Sequence, residues 1–259
     1  MAQFDIILIG ATGYTGRITA KFLSKQSATT WAMAGRSAAK LQELNKELKT
    51  NVSTFEIDVN KPETLDAVCQ RARCIISCAG PFTRCGMPVV DACVRNGVHY
   101  IDSTGEFNFV RAVIEKHNEE AKRKNIVLVS CCGFDSVPAD LGNYVLHRDA
   151  KEPVKSVQCY YKLHTAGVSN GTVNSISEVM AVIGRKDLDP CSLNPPEAPR
   201  PVAAPTRMLM WWDGRRGFTA PYGMAAINER IVRRTNALMG SRASYVEAMQ
   251  GGALAMLQA

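Results

Sequence analysis

Residues 4–16 read FDIILIGATGYTG and decide the fold of the first half of the chain. The first six residues form an apolar run typical of a buried β-strand. Gly10 permits a sharp turn off that strand, Gly13 lets a pyrophosphate approach the backbone, and Gly16 lets the following helix pack closely. Because the turn leads from a strand into a helix N-terminus, where N–H groups favour anions, the pattern predicts a dinucleotide-binding turn.

Apolar runs and helical patterns then alternate as far as residue 150. Strands are predicted over 4–9, 30–34, 52–57, 74–78, 98–101 and 126–130, and helices over 14–25, 37–49, from 62, over 88–96 and over 107–124. Six strands connected by helices predict an α/β domain of the Rossmann type over residues 1–150, with a doubly wound parallel sheet.

Residues 151–259 have a different character and predict a second, smaller domain. A strand is expected over 154–164 and a helix over 172–183, followed by a Pro-rich loop over 190–205. No clear period follows that loop. We therefore expect a partial α/β (α+β) domain that serves the substrate or dimerisation.

Basic residues follow the second predicted strand, where the adenosine end of a dinucleotide would lie. Arg36 stands where NAD enzymes usually carry an acidic residue for the ribose 2′-hydroxyl, and Lys40 follows one helical turn later. Two cations suit a 2′-phosphate, so NADP is favoured, with NAD left open. The alternative is a surface arginine beside a helix start. Ser37 is expected to cap that helix.

Two further strand ends complete the predicted cofactor site. Asp58, after strand 3, either reaches the adenine amino group or is a loop carboxylate. Small residues after strand 4 would let the backbone approach the nicotinamide ribose, with Cys78 expected to pack rather than react. The predicted cofactor-binding residues are Gly10, Ala11, Thr12, Gly13, Tyr14, Thr15, Gly16, Arg36, Ser37, Lys40, Asp58, Cys78, Ala79, Gly80, Pro81 and Phe82.

No catalytic residue can be named from the sequence. The chain lacks the Tyr-x-x-x-Lys pair of short-chain dehydrogenases, a G-x-S-x-G elbow and a His-Glu metal motif, so no metal is expected. Glu106 and Asp135 follow strands 5 and 6 and are candidates for carboxylates in the cleft. Ser136, which precedes Pro138 by two residues, is expected to cap a helix.

Charge and cysteine content restrict the partners. The net charge is +7, with 18 Lys and Arg against 16 Asp and Glu up to residue 150 and 13 against 8 beyond it. The later excess suits a solvated face or a cradle for an anionic substrate or lipid head group. Nucleic acid is not expected, because no basic run is interleaved with aromatic residues. Nine scattered cysteines and no leader ahead of the first strand predict reduced thiols and a cytoplasmic location. Peripheral attachment to a membrane or lipid droplet, and a homodimer, stay open.

Five motifs together resemble the saccharopine dehydrogenase-like oxidoreductases, which include the trans-acting enoyl reductases of bacterial lipid synthesis. They are GATGYTG at 10–16, AGRS at 34–37, CAGPF at 78–82, YIDSTGE at 100–106 and CCGFDSVPADLG at 131–142. The resemblance spans about residues 4–180. It implies an NADP-binding domain, a following substrate domain, and oxidoreductase chemistry on an enoyl- or imine-type substrate that is linked to a lipid. It supplies no catalytic residue.

Members of that family are longer, which predicts that this chain is a truncated form. Residues 185–259 are therefore expected to be poorly packed or to depart from the family's arrangement. One alternative is a catalytically silent NADP(H)-binding sensor or scaffold. Another is a reductase of acyl phosphates or semialdehydes, for which Cys131 and Cys132 are the candidate thiols by location.

Overall fold

The structure, a computed structural model, describes residues 2–162, 188–201, 209 and 211–250. The chain divides into two compact units, Met1–Cys132 and Gly133–Ala259. This division falls ahead of residue 150, where the sequence changes character, and places the helix that follows Ser136 with the second unit.

The first unit is a six-stranded sheet flanked by five helices. The strands are β1 (Phe4–Ile9), β2 (Trp31–Gly35), β3 (Thr54–Glu56), β4 (Ala72–Ser77), β5 (His99–Asp102) and β6 (Leu128–Val129), and the helices are α1 (Tyr14–Leu23), α2 (Ala38–Leu48), α3 (Pro62–Cys69), α4 (Phe82–Asn96) and α5 (Phe107–Lys124). Every pairing is parallel, in the order β3-β2-β1-β4-β5-β6. The predicted doubly wound sheet is confirmed.

Both faces of this sheet are covered by apolar side chains. Ile7 and Ile9 on β1 belong to one buried cluster, which includes Val90 of α4. Leu8 belongs to a second cluster, which includes Leu41 of α2. Alternate residues of one strand therefore face opposite helical layers, as expected for a parallel sheet inside an α/β unit.

Helix α4 begins earlier than the sequence indicates. The predicted start is Pro88, but the helix begins at Phe82 and carries Pro88 in its interior. The buried carboxylate of Glu106 accepts hydrogen bonds from the backbone N–H groups of Phe82 and Thr83 at 3.0 and 2.7 Å. This distant side chain fixes the start of the helix by binding its first N–H groups.

Strand β6 is shorter than predicted, for a similar reason. The predicted strand ran over 126–130, whereas the pairing covers only Leu128–Val129. The Asp102 carboxylate accepts bonds from Ser130 Oγ at 3.0 Å and Cys131 N at 3.2 Å. Cys131 adopts a left-handed backbone with φ of +60°, which ends the strand there.

The second unit contains α6 (Val137–Asp149), β7 (Ser156–Tyr161), β8 (Trp211–Asp213), β9 (Gly217–Ala220), α7 (Ala225–Leu238) and β10 (Ser244–Gln250). Its described strands form a sheet in the order β7-β10-β9-β8, in which β10 is parallel to β7 and antiparallel to β9. The strand expected over 154–164 corresponds to β7. The helix expected over 172–183 lies outside the described residues.

The expected poor packing is wrong for the part of 185–259 that the structure describes. Val232 of α7 and Tyr245 of β10 are fully buried, and Ala139 of α6 packs with them. Helix α7 also buries polar residues such as Asn228 and Glu229. Because polar residues stand on the buried face, the apolar period that would reveal this helix is missing from the sequence.

No helix within the described ranges combines the length and the apolar character required to span a bilayer.

Candidate cofactor-binding site

The turn between β1 and α1 has the geometry that its glycines predict. Gly10 has φ of +77°, and a Cβ placed there would lie 2.9 Å from the backbone nitrogen of Ala79. A Cβ on Gly16 would collide with the carbonyl oxygen of Gly10. Gly13 N donates to Gly10 O at 3.0 Å and closes the turn. A side chain at residue 10 would therefore strain the backbone, and one at residue 16 would push α1 away from the turn.

The N-terminus of α1 is open toward solvent. Gly13 occupies the N-cap position and no side chain caps the helix. Gly13, Tyr14 and Thr15 are exposed, Thr12 is half-buried, and Ala11 is buried beneath the turn. The first-turn N–H groups of a helix have no partner within the helix, so this end presents donors and a partial positive charge to an anion. The cradle fits the pyrophosphate of a dinucleotide.

The end of β4 lies against this turn. Cys78 N donates to Ile9 O at 2.9 Å, and Ala79 is the residue that a Cβ on Gly10 would meet. Phe82 is buried against Phe109, with ring centroids 5.8 Å apart, after Gly80 and a cis peptide to Pro81. The structure therefore brings the segment 78–82 beside the glycine turn.

Cys78 packs, as the sequence predicts. Its sulfur lies 3.8 Å from Thr19 Oγ1 and is half-buried against the cluster formed with α1 and α2. Burial raises the pKa of the thiol. A raised pKa keeps the thiol neutral and disfavours a nucleophilic role.

A cleft of about 460 Å³ opens beyond the ends of β2 and β3, and we call it the β2–β3 cleft. Its lining residues are Arg36, Glu56, Ile57, Asp58, Asn60, Lys61 and Thr64. Arg36 and Asp58 were predicted from the sequence, whereas Lys61 was missed. The signal for Lys61 was its position after a strand and directly before Pro62, which marks the first turn of a helix.

Ser37 and Lys40 have a structural relation to each other. Ser37 is the N-cap of α2, and its Oγ accepts a bond from Lys40 N at 3.4 Å, as predicted. Lys40 is exposed and is not among the residues that line the β2–β3 cleft.

Asp58 uses part of its carboxylate within its own loop. Its Oδ1 accepts bonds from Asn60 N at 3.0 Å and Asn60 Nδ2 at 3.2 Å. The loop role is therefore observed, and the contact with adenine stays a prediction.

The two acidic residues at the end of β5 are both buried. Glu106 holds the start of α4, so its predicted position as a cleft carboxylate is wrong. Asp102, which sequence reasoning did not single out, also accepts a bond from Thr104 N at 2.9 Å. Burial raises the pKa of Asp102 to about 6 despite its hydrogen bonds.

In the motif after β6, the predicted role of Ser136 is wrong. Ser136 occupies the N-cap position of α6, but its hydroxyl donates to Asn228 Oδ1 at 2.8 Å and does not cap the helix. The Asn228 side chain also donates to the carbonyl of Asp135 at 2.6 Å. The hydroxyl of Ser136 therefore binds a distant partner on α7 and not the helix start that its position in the sequence suggests. The side chain of Asp135 is exposed.

The thiol-based alternative gains no support from the described histidines. Cys131 is buried and Cys132 is exposed. His99 Nδ1 accepts from Val127 N at 3.0 Å, and His117 Nε2 lies 2.7 Å from Asp91. A histidine poised as a base beside either thiol is not found among the described residues.

A buried polar network crosses the second unit. Glu247 of β10 accepts bonds from Tyr245 OH at 2.8 Å, Asn228 Nδ2 at 3.0 Å and Tyr161 OH at 3.3 Å. Burial raises the pKa of Glu247 to about 7. Beside it, Arg233 and Glu229 form an ion pair at 2.8 Å with both side chains almost fully buried.

Sequence comparisons identify the relatives of this chain. Residues 6–129 match the model of the saccharopine dehydrogenase NADP binding domain. A candidate trans-acting enoyl reductase of Mycobacterium tuberculosis is 36% identical over 275 aligned positions, and the trans-acting enoyl reductase of Mycobacterium leprae is 35% identical over 276. Each alignment covers 96% of this chain and 66% of the relative. The expectation that the likeness breaks off near residue 180 is therefore wrong.

Among solved structures, apo saccharopine dehydrogenase (L-Glu forming) of Saccharomyces cerevisiae aligns with a TM-score of 0.49 at 21% identity, over 61% of this chain and 34% of that one. The present chain spans 66% of the length of the mycobacterial relatives. On its sequence matches, the chain belongs to the saccharopine dehydrogenase-like family, and its first unit carries that family's NADP-binding domain.

Proposed function

We propose that the protein is an NADP-dependent oxidoreductase acting on an enoyl- or imine-type substrate that is linked to a lipid. The observation that carries the proposal is the open cradle at residues 10–16, where added side chains on Gly10 or Gly16 would meet backbone atoms. Bound NADPH would supply the hydride for such a reaction.

The residues of the first unit divide the binding work among three strand ends. The backbone of Gly10–Gly16 holds the pyrophosphate at the N-terminus of α1. Arg36 recognises the 2′-phosphate from the β2–β3 cleft. The segment Cys78–Phe82 lies at the nicotinamide end, because β4 is the neighbour of β1 on the side away from β2.

The first experiment is a titration of the purified chain with NADPH and NADH, followed by nicotinamide fluorescence. We expect tighter binding of NADPH, and a loss of about tenfold to a hundredfold in NADPH affinity for Arg36→Ala, because hydrogen bonds between charged groups are the strong ones. Arg73→Ala is the matched control, since Arg73 is exposed, pairs with Asp5 and lies on β4, away from its carboxyl end. Equal or absent binding of the two nucleotides would overturn the assignment.

The substrate class is supported by the mycobacterial relatives, which are named as trans-acting enoyl reductases. The test is loss of NADPH absorbance in the presence of an enoyl thioester with a long acyl chain. An imine substrate and a short-chain enoyl thioester serve as comparisons. Turnover of the imine alone would exclude the enoyl assignment, and equal rates on short and long chains would exclude the link to lipid.

A catalytically silent NADP(H)-binding sensor or scaffold is the second candidate. This silent function is favoured because both acidic residues at the end of β5 already form structural hydrogen bonds. Glu106 binds the start of α4, and Asp102 binds residues 130 and 131. Saturable NADPH binding without turnover of any of these substrates would support the silent function.

We further propose that the protein attaches peripherally to an anionic lipid surface, as at a membrane or lipid droplet. Tyr14, Ile18 and Phe22 lie four residues apart on α1 and are 75%, 57% and 64% exposed. Lys21 and Lys25 are exposed beside them. An apolar stripe flanked by cations is typical of helices that rest on anionic lipid.

Flotation with phosphatidylcholine vesicles, with and without phosphatidylserine, tests this attachment. We expect binding only to the anionic vesicles, and loss of binding for Ile18→Asp with NADPH affinity retained. A homodimer through the same stripe would bring like charges together and is the competing outcome, detected by sedimentation. Absence of vesicle binding would remove the proposal.

A further inference from the structure

We infer that Lys61 is a second cation for the 2′-phosphate and shares with Arg36 the selection of NADP over NAD. This inference rests on the proposed function of the first unit. It assigns a specificity role to a residue outside the glycine turn and outside the segment that follows β2.

The topology places both cations at one edge of the sheet. Strands β2 and β3 are parallel neighbours, with Gly35 opposite Glu56. The chain continues from β2 into Arg36 and from β3 through a short loop to Lys61. Because carboxyl ends of parallel strands meet at the same edge, the two side chains line a single cleft.

The loop before α3 holds Lys61 in place. Lys61 N donates to Asp58 O at 2.9 Å, and Thr64 N donates to Lys61 O at 3.0 Å. The Thr64 hydroxyl lies 2.8 Å from Lys61 O and 2.9 Å from Asp58 O. Asn60 binds the Asp58 carboxylate from within the loop. A backbone fixed at this many points keeps the lysine at the cleft and lowers the entropy lost when it binds an anion.

The charges of the cleft favour an anion at these two residues. Within the described part of the chain, neither Arg36 nor Lys61 takes part in an ion pair, whereas the surface residues Arg73 and Arg95 pair with carboxylates. Lys61 also occupies the N-cap of α3, whose N-terminus adds a partial positive charge.

Two acidic residues line the same cleft, and their negative charges oppose the binding of an anion. Asp58 already accepts two bonds from Asn60 through Oδ1. Glu56 is exposed at the end of β3. Its negative charge would oppose a bound 2′-phosphate, which predicts that removing this charge strengthens NADPH binding.

Lys46 provides the matched control. It is an exposed lysine of α2 that was not predicted to bind the cofactor, and it takes part in no ion pair among the described residues. It differs from Lys61 because it does not line the β2–β3 cleft.

The test is the fluorescence titration with NADPH and NADH applied to Lys61→Ala, Lys46→Ala and Lys61→Arg in the full chain. For Lys61→Ala we expect about fivefold weaker NADPH binding, the upper end for an exposed ion pair, with NADH affinity unchanged. The salt dependence of NADPH binding should also become shallower. Lys46→Ala should match the wild type, Lys61→Arg should retain the preference, and Glu56→Gln should tighten NADPH binding about twofold.

The outcomes separate this inference from the proposed function. If the wild type prefers NADPH and Arg36→Ala loses that preference, while Lys61→Ala behaves like Lys46→Ala, the role of Lys61 is overturned and the proposed function stands. If the wild type shows no preference for NADPH, both are overturned. Unchanged NADH affinity in Lys61→Ala shows that the variant is folded. An equal loss of NADPH and NADH affinity would also overturn the inference, since a 2′-phosphate contact cannot affect NADH.

Discussion

The main cores of the two units differ in chemistry, although the first unit also buries Asp102 and Glu106 at the end of β5. The first unit buries Ile7, Leu8 and Ile9 of its central strand between two apolar clusters. The second unit buries Asn228, Glu229, Arg233 and Glu247 beside Val232 and Tyr245. An apolar interior gains stability in proportion to buried area, whereas a polar interior depends on each group keeping its partner. Loss of one side chain should therefore have different consequences in the two units.

The largest effect is expected from Arg233→Met, which removes the charge that pairs with the buried Glu229 at 2.8 Å. Breaking a buried pair on one side costs about 4 kcal/mol of unfolding free energy. Urea unfolding in a Trp31→Phe background, followed by tryptophan fluorescence, reports on the second unit, which holds the other two tryptophans. The double variant Glu229→Leu with Arg233→Met should lose less than the single one, because it removes both charges of the pair. An equal or larger loss in the double variant would contradict the contrast between the units.

The next effect concerns pH. The pKa of Glu247 is raised from 4.5 to about 7 by burial, so the folded unit binds this proton more tightly than the unfolded chain. The stability from this group is present below about pH 4.5 and is lost as pH rises through about 7, a difference of about 3 kcal/mol. Glu247→Gln should remove this part of the pH dependence in urea unfolding between pH 5 and 8. A pH dependence that persists unchanged in the variant would contradict the assignment.

The smallest effect is expected in the first unit. Ile75→Val removes one methyl group from the centre of an apolar cluster and should cost about 1 kcal/mol, equally at pH 5 and pH 8. The measurement is urea unfolding followed by tryptophan fluorescence in a background with both Trp211→Phe and Trp212→Phe, which leaves Trp31 of the first unit as the only tryptophan. A loss comparable to that of Arg233→Met would show that the two interiors respond alike.

The same contrast explains which features the sequence reveals. The order of strands and helices in the first unit, and the glycine turn with Ser37 as a cap, follow from apolar periods and from local chemistry. The start of α4 does not, because Glu106 fixes it from 24 residues away. Ser136 likewise has the right residue type for a cap but bonds to Asn228 on α7. Local sequence patterns cannot reveal a hydrogen bond between a side chain and a partner that is distant in the sequence.

The candidate site divides in the same way. Arg36 was visible because it takes the place of a familiar acidic residue after β2. Lys61 was not visible, because its place in the cleft depends on the pairing of β2 with β3 and on the fold of the loop between Asp58 and Thr64. Lys40 was predicted as a second cation because it lies close to Arg36 in sequence, but it does not line the β2–β3 cleft.

The position of β10 has a consequence for how the chain acquires its structure during synthesis. This strand lies between β7 and β9, and its parallel partner β7 is more than eighty residues earlier in the chain. During translation, β7, β8 and β9 therefore leave the ribosome before β10, which pairs with both β7 and β9, has been synthesised. The first unit has no such dependence, because β1 to β6 are complete by residue 129. Folding of the first unit can accompany translation, while the second sheet waits with unpaired strand edges, the state in which chaperones are needed most.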